Sequence, residues 1–271
     1  VVYVGENAGS AYKVGDVVMG YYGWQQYAVV DAKKAADNIR KVNTSDLENV
    51  PVSTALGVLG MPGQTAYFCV KEVCKIKPGE TVVVSGAAGA VGSLAVQIAK
   101  LKGAHVVGIV GSEEKKQYLL HELKCDAVIN YKEANDMKQM KQALEGVCQK
   151  GIDVYLDNTG GYTTDAVLTM LNQFARVAIV GQISSYQNSL DETPQMEPRF
   201  LHRLIYNRAT IQGFLVNDYN DREQEFLDET FDWIQSGKIK YSEMIREGFE
   251  SIPTAFKELF QGLNTGKMVV K

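Results

Sequence analysis

Ser85-Gly86-Ala87-Ala88-Gly89-Ala90-Val91-Gly92-Ser93 lies between an apolar run, Thr81-Val82-Val83-Val84, and a segment of helical spacing over 94–101. A strand that turns on small residues into a helix brings backbone N–H groups and the positive end of a helix dipole to one point. A dinucleotide's pyrophosphate binds at such a point, so a nucleotide cofactor is the first functional expectation. Aligned to G-x-G-x-x-G, the loop reads Ala87-x-Gly89-x-x-Gly92, with alanine where the first glycine is usual. Glycines so spaced also serve simply to pack a helix closely on a sheet. The strand before, the helix after and a second apolar strand over 105–110 favour the cofactor reading.

Outward from this loop the chain alternates strand and helix, the order that demands a parallel sheet covered on both faces. Strands are expected at 81–85, 105–110, 127–130, 154–157, 176–180 and 210–215, and helices at 94–101, 113–123, 138–147 and 164–171. This is an α/β, doubly wound arrangement. Before it, 1–31 reads as strand and turn: Tyr3-Val4-Gly5, then 14–19, then 26–30. Residues 33–51 are polar and irregular, and apolar residues return over 47–59 with Gly57, Gly60 and Pro62-Gly63 as breaks. After Asn217 come a charged helix over 221–235, a short strand-like Lys240-Tyr241, a helix over 253–263 and a terminal Met268-Val269-Val270 that could return to the first β unit. The expected divisions are 1–53, 54–216 and 217–271.

The chain has 271 residues, 45% of them hydrophobic, enough for a sizeable core in one or two domains. No apolar stretch reaches bilayer-spanning length, and Val1-Val2-Tyr3-Val4 carries no signal-peptide pattern, so a soluble, cytoplasmic protein is expected with no membrane partner. The net charge of -4 leaves no basic stripe for nucleic acid. The four cysteines, Cys69, Cys74, Cys125 and Cys148, fit neither a disulfide framework nor a CxxC metal pair and read as buried thiols.

The end of the second strand bears on which dinucleotide binds. An acid about 20 residues beyond the loop would hold the ribose 2′-OH of NAD and repel a 2′-phosphate. Here Gly111-Ser112 stands instead, with Glu113 and Glu114 in the first turn of the next helix and Lys115-Lys116 following. Lysines at such a place also occur as a plain solvated face, but the missing acid together with Ser112 and Lys115 favours NADP. His105, His121 and His202 are poorly placed as zinc ligands, so no metal is expected, and there is no GxSxG elbow or Ser/His/Asp arrangement for hydrolysis.

Seven segments occur in one order: Gly60-Met61-Pro62-Gly63-Gln64-Thr65-Ala66-Tyr67, Ala87 to Ser93, Gly111-Ser112-Glu113-Glu114-Lys115, Asn130-Tyr131-Lys132, Asp157-Asn158-Thr159-Gly160-Gly161, Gly181-Gln182-Ile183-Ser184-Ser185-Tyr186 and Gly262-Leu263-Asn264-Thr265-Gly266-Lys267. Together they resemble the zinc-independent medium-chain dehydrogenase/reductases of the prostaglandin reductase, leukotriene B4 dehydrogenase and alkenal double-bond reductase type. The resemblance covers nearly the whole chain. It implies a Rossmann-type domain beside a GroES-like β domain, and NADPH-dependent reduction of a carbon–carbon double bond conjugated to a ketone or aldehyde. Hydride would reach the β-carbon while a tyrosine hydroxyl stabilises the enolate.

By this resemblance Tyr186 is the first catalytic candidate, Tyr206 the second and Tyr219 a distant third; without the resemblance Tyr186 reads first as a tyrosine at a strand-to-loop end that only packs or caps. Cofactor contacts are implied for Thr65, Ala88, Gly89, Ala90, Val91, Gly92, Ser112, Lys115 (to the 2′-phosphate), Tyr131 (to the adenosine side), Asn158, Gly181, Gln182, Ile183, Ser184, Tyr186, Phe214, Val216 and Asn264. Asn264 reads on its own as a turn residue before Gly266. Tyr21, Tyr22 and Leu215 would line the substrate side, where the tyrosines' other reading is barrel core. A homodimer is a family expectation. Family members carry several tens of residues before the equivalent of Val1, including an Asp-Pro-x-Met-Arg segment, so the β domain is expected to be N-terminally incomplete. A quinone oxidoreductase and a non-enzymatic NADPH-binding protein are the alternatives.

Overall fold

The computed structural model describes residues 1–6, 11–31, 39–47, 50–186 and 201–271. Among the described residues at the front, only β1 (Val18–Gly20) and β2 (Ile39–Lys41) form strands, an antiparallel pair. Tyr3-Val4-Gly5 and 26–30 are not strands, and Tyr3, Tyr27 and Val29 are exposed. Their β-prone side chains find no partner strand among the described residues, and propensity without pairing does not make a strand.

The helix α1 (Met61–Phe68), continued by a π-helical turn over Cys69–Cys74, stands where glycine and proline suggested breaks. Pro62 occupies the first turn, where its missing N–H costs nothing. Every residue from Pro62 to Phe68 is buried, so α1 has no polar face and carries no helical period for sequence reading to detect.

The alternating region then runs β3 (Thr81–Ser85), α2 (Gly92–Leu101), β4 (His105–Val110), α3 (Glu113–Gln117), β5 (Ala127–Asn130), α4 (Met137–Val147), β6 (Ile152–Asp157), α5 (Tyr162–Leu168), β7 (Leu171–Ile179), α6 (Leu201–Asn207) and β8 (Thr210–Gly213). All six strands are parallel, in the order β5-β4-β3-β6-β7-β8. Strand order reverses between β3 and β6, and the carboxyl ends of these two strands flank the crevice where doubly wound sheets bind ligands.

The valines of β3 divide between the two faces. Val82 and Val84 join a core with α1, α2 and Phe226, while Val83 joins Val107, Ile109 and Tyr155 on the other side. Helix α5 ends at Leu168, short of the expected 171, and β7 starts at Leu171, paired with Ile152 and shifting register before Val154, with Phe174 at positive φ between.

The charged helix begins as a 3-10 segment, Val216–Arg222, and continues as α7 (Glu223–Gln235). After it, strand β9 (Glu243–Arg246) lies just beyond Lys240-Tyr241, followed by α8 (Ile252–Phe260) and β10 (Lys267–Val270). Strand β10 pairs in parallel with β9 and not with β1 or β2. Phe226 of α7 is fully buried in the core shared with α1, α2 and β3. Among the described residues no helix is long and apolar enough to cross a membrane. All four cysteines are free and buried, and burial pushes the Cys125 and Cys148 thiols up to about 12.

Candidate functional site

The loop after β3 turns at Gly86, whose φ of +58° suits glycine, and Gly89 N–H closes the turn on the Gly86 carbonyl at 2.9 Å. The left-handed residue therefore precedes Ala87. That is why alanine is tolerated in the first position of the glycine pattern: Ala87 is fully buried and its N–H donates to the Ile109 carbonyl at 3.1 Å. At Gly92 a Cβ would stand 2.3 Å from the Gly86 carbonyl oxygen, so only glycine lets α2 begin this close to the turn. Gly266 N–H donates to the Ala88 carbonyl at 2.7 Å and fastens the C-terminal segment to the loop.

A cavity of about 640 Å³ opens at this end of the sheet. Ala88 to Gly92, Lys115, Tyr131, Asn158, Gly181, Ile183, Ser184, Tyr186, Phe214, Leu215, Val216, Thr65 and Asn264 all line it, brought together from α1, six strand ends and the C-terminal segment. Lys115 donates through Nζ to the Gly262 carbonyl at 2.6 Å. Burial holds its ammonium below the usual lysine range, and Lys132 adds to the effect while Glu114 opposes it. An anion at this place would meet a cation short of counter-charge. Asn158 is held rigidly, its Nδ2 donating to the Ser85 carbonyl at 2.7 Å and its N–H to Ser85 Oγ at 3.0 Å. Asn264 keeps its turn role too, with Nδ2 donating to the Gly266 carbonyl at 2.9 Å.

The Tyr186 hydroxyl accepts the Gln182 N–H at 3.1 Å, and its own O–H has no acceptor among the described residues. Tyr186 is 61% exposed on the cavity wall.

Six expected site residues lie outside the cavity lining, among them Tyr219, whose ring stacks on Phe68 and Phe214 at centroid distances of 4.8 and 5.4 Å. Ser112 caps α3, accepting the Lys115 N–H at 3.3 Å, because a serine before a helix is drawn to the free amides of its first turn. Gln182 turns its amide inward to Asp157 at 3.1 Å. Tyr206 sits on α6, 74% exposed, on a helix that packs against β7 away from the opening. Tyr21 is 90% exposed, and Tyr22 carries a buried hydroxyl with no hydrogen-bond partner among the described residues. In the other direction, Met61 and Pro62 of α1, Thr159 to Thr163 after β6, Gly262, and Leu259 and Phe260 of α8 line the cavity without having been anticipated. The strong one-sided apolar spacing of α8 was the signal available for its two residues.

The model of the zinc-binding dehydrogenase family matches residues 90–233. The chain is 49% identical over 263 residues to YfmJ of Bacillus subtilis (strain 168), covering 97% of this chain and 74% of the relative. It is 40% identical over 272 residues to prostaglandin reductase 1 of Rattus norvegicus (100% and 79%) and 40% identical over 270 residues to the NADP(+)-dependent 2-alkenal reductase of Nicotiana tabacum (100% and 75%). The solved structure of CurA from Vibrio vulnificus in complex with NADPH superimposes with a TM-score of 0.84 at 41% identity, over 96% of this chain and 74% of that one. The fold and the crevice define a dinucleotide-binding dehydrogenase/reductase. The chain belongs to the medium-chain family of these enzymes, in the zinc-independent branch that contains the prostaglandin and alkenal reductases. Among the described residues no group of three or more His, Cys, Asp or Glu side chains comes together as a metal site.

Proposed function

We propose that the protein is an NADPH-dependent reductase of the carbon–carbon double bond of α,β-unsaturated ketones or aldehydes. The observation that carries this reading is one cavity with a glycine loop and a half-buried lysine at one end and the donor hydroxyl of Tyr186 on its wall. Its volume of about 640 Å³ falls in the range of small-molecule and cofactor sites. The residues present fit the cofactor: Ala88 to Gly92 line the cavity where α2 begins, so the N–H groups of the helix N-terminus would face phosphate oxygens, and Lys115 would offer its charge to a 2′-phosphate.

Bound NADPH supplies a hydride. The chain's own residues orient and stabilise. Asn158 and Asn264, with Phe214 and Val216, would hold the ribose and nicotinamide end, and Tyr131 would lie to the adenosine side. Tyr186 would donate to the substrate's carbonyl oxygen as negative charge grows there, a role that a donor held on the cavity wall by the Gln182 N–H suits. Leu215, with Leu259 and Phe260 of α8, gives the apolar wall that an alkenal or enone chain needs. The domain reading that accompanies this is a cofactor unit over 54–216 flanked by β-domain segments.

Loss of NADPH absorbance with a panel of 2-alkenals, enones and 15-oxo-prostaglandin-like ketones tests the reading. Turnover with release of the saturated carbonyl compound supports it. Quinones turned over well in excess of every enone would replace it with a quinone reductase, and tight NADPH binding with no turnover would leave only a binding protein.

A further inference from the structure

Asp157 ends β6 at the point where strand order reverses, and it is fully buried. Six neutral donors converge on its carboxylate. Oδ1 accepts from Ser85 Oγ at 3.1 Å, Tyr155 OH at 3.0 Å, Thr159 N–H at 3.0 Å and Gly160 N–H at 2.9 Å. Oδ2 accepts from Thr164 Oγ1 at 2.7 Å and Gln182 Nε2 at 3.1 Å. The donors come from the end of β3, from β6 itself, from the loop after it, from the first turn of α5 and from the segment after β7. The Asp157 carbonyl also accepts the N–H groups of Val180 and Gly181, at 2.8 and 3.1 Å.

Burying a carboxylate is costly unless its lone pairs are filled, and here they are filled by the backbone and side chains that shape the crevice. Thr159 and Gly160 line the cavity directly, while Gln182 donates its N–H to the Tyr186 hydroxyl. Gly160 has φ +72°, and a Cβ there would stand 2.1 Å from Gln182 Oε1, so the chain keeps a glycine where the glutamine reaches past it to Asp157.

We propose that Asp157 is a positioning residue for cofactor binding, the hub that holds the loops after β6 and β7 in register with the phosphate loop, and that Gln182 serves as its strut and not as a cofactor ligand. It touches neither cofactor nor substrate and acts through Thr159, Gly160, Gln182 and Ser85.

Asp157→Asn tests this. The amide keeps the size but offers one acceptor oxygen in place of two, so Thr164 and Gln182 must turn. NADPH affinity, read by cofactor fluorescence at a temperature where thermal melting shows both proteins folded, is expected to fall about tenfold, the effect of losing charge-assisted hydrogen bonds. In steady state the KM for NADPH rises while that for the carbonyl substrate is unchanged. Gln182→Met weakens NADPH binding in the wild-type background and adds nothing to Asp157→Asn; additive effects would mean a direct cofactor contact and overturn the strut. Thr164→Val removes one donor from outside the cavity and is expected to weaken NADPH about threefold.

An unchanged NADPH affinity in folded Asp157→Asn overturns the proposal even if the melting point drops. Should that variant not fold, an unchanged affinity in Thr164→Val does the same. The proposal rests on the cofactor assignment alone: a wild-type protein that binds NADPH but reduces no enone defeats the proposed reaction and leaves this inference standing.

Discussion

The Lys115 ammonium and the Gly262 carbonyl are 147 residues apart in the chain and 2.6 Å apart in space. The contact joins α3, beside the second sheet strand, to the segment that follows α8 and continues through Asn264 to Gly266 on the phosphate loop. The same lysine is the proposed holder of the 2′-phosphate, so cofactor choice depends on a residue fixed from both ends of the fold.

Lys115→Ala is expected to weaken NADPH by about tenfold or more, the value of a charge-assisted hydrogen bond, and to change NADH binding little. Direct titration of both cofactors checks this, and equal losses would remove the 2′-phosphate assignment. Because burial and Lys132 lower the Lys115 pKa, its charge is lost at a lower pH than that of a free lysine. NADPH affinity should therefore decline as pH rises toward the ordinary lysine range, while NADH affinity stays flat.

Tyr186→Phe removes the donating hydroxyl and its acceptance of the Gln182 N–H. A fall in kcat of about 10²-fold is expected, in line with losing one donor to a developing oxyanion, with NADPH affinity nearly unchanged. Tyr206→Phe, on an exposed helix face outside the cavity, is expected to leave kcat as it was. The opposite ranking in single-turnover rates would transfer the role to Tyr206.

Gly92→Ala forces a methyl to within 2.3 Å of the Gly86 carbonyl oxygen, a backbone atom that cannot swing aside. The start of α2 must move off the turn, at a cost of about 1–3 kcal/mol. A lower melting temperature and weakened NADPH binding together are expected. Gly89→Ala, where the same atom lies at 3.2 Å, is expected to be milder, and equal melting curves for the two variants would contradict the packing account.

Glu80 accepts both Arg176 guanidinium nitrogens, at 2.8 and 2.6 Å, while Arg176 Nε donates to the Cys74 carbonyl and ties the π-helical turn to β7. Burial works to raise the Glu80 pKa, but the hydrogen bonds from Arg176 and the Lys77 N–H outweigh it and hold the carboxyl below its ordinary 4.5. A carboxyl lowered in the folded state contributes its stability above the unfolded value and loses it as pH falls through the folded one. Chemical denaturation below pH 4.5 is expected to show a shallower loss of stability with pH in Glu80→Gln than in the wild type. Parallel pH profiles for the two proteins would dismiss the pair as a source of acid sensitivity.

The parts of the fold legible in sequence were those with a local cause. Val82 to Val84 are β-branched and apolar and read as a buried strand, and Gly86 to Gly92 read as a turn into a helix; both are so. Helix α1 is not legible because burial on every side erases the period that marks a helix, and the β-prone segments 3–5 and 26–30 are not strands because such a segment also needs a neighbour to pair with. The cofactor-side residues came together largely as their motifs suggested. Ser112 and Gln182 lie outside the cavity lining: Ser112 caps the helix it precedes, a role its position before α3 already signals, while Gln182 meets a buried carboxylate 25 residues away that no spacing announces.

By itself the sequence determined the alternation that makes a doubly wound sheet, the glycine turn at its first crossover and the absence of an acid after the second strand. Each depends on residues within a few positions of one another, where backbone geometry and charge act directly. Only the tertiary structure decided that α8 supplies Leu259 and Phe260 to the cavity, that Gly262 meets Lys115, and that Asp157 gathers donors from five separate segments. Those contacts follow from how the layers pack, because a buried polar group takes whichever donors the whole fold brings within reach.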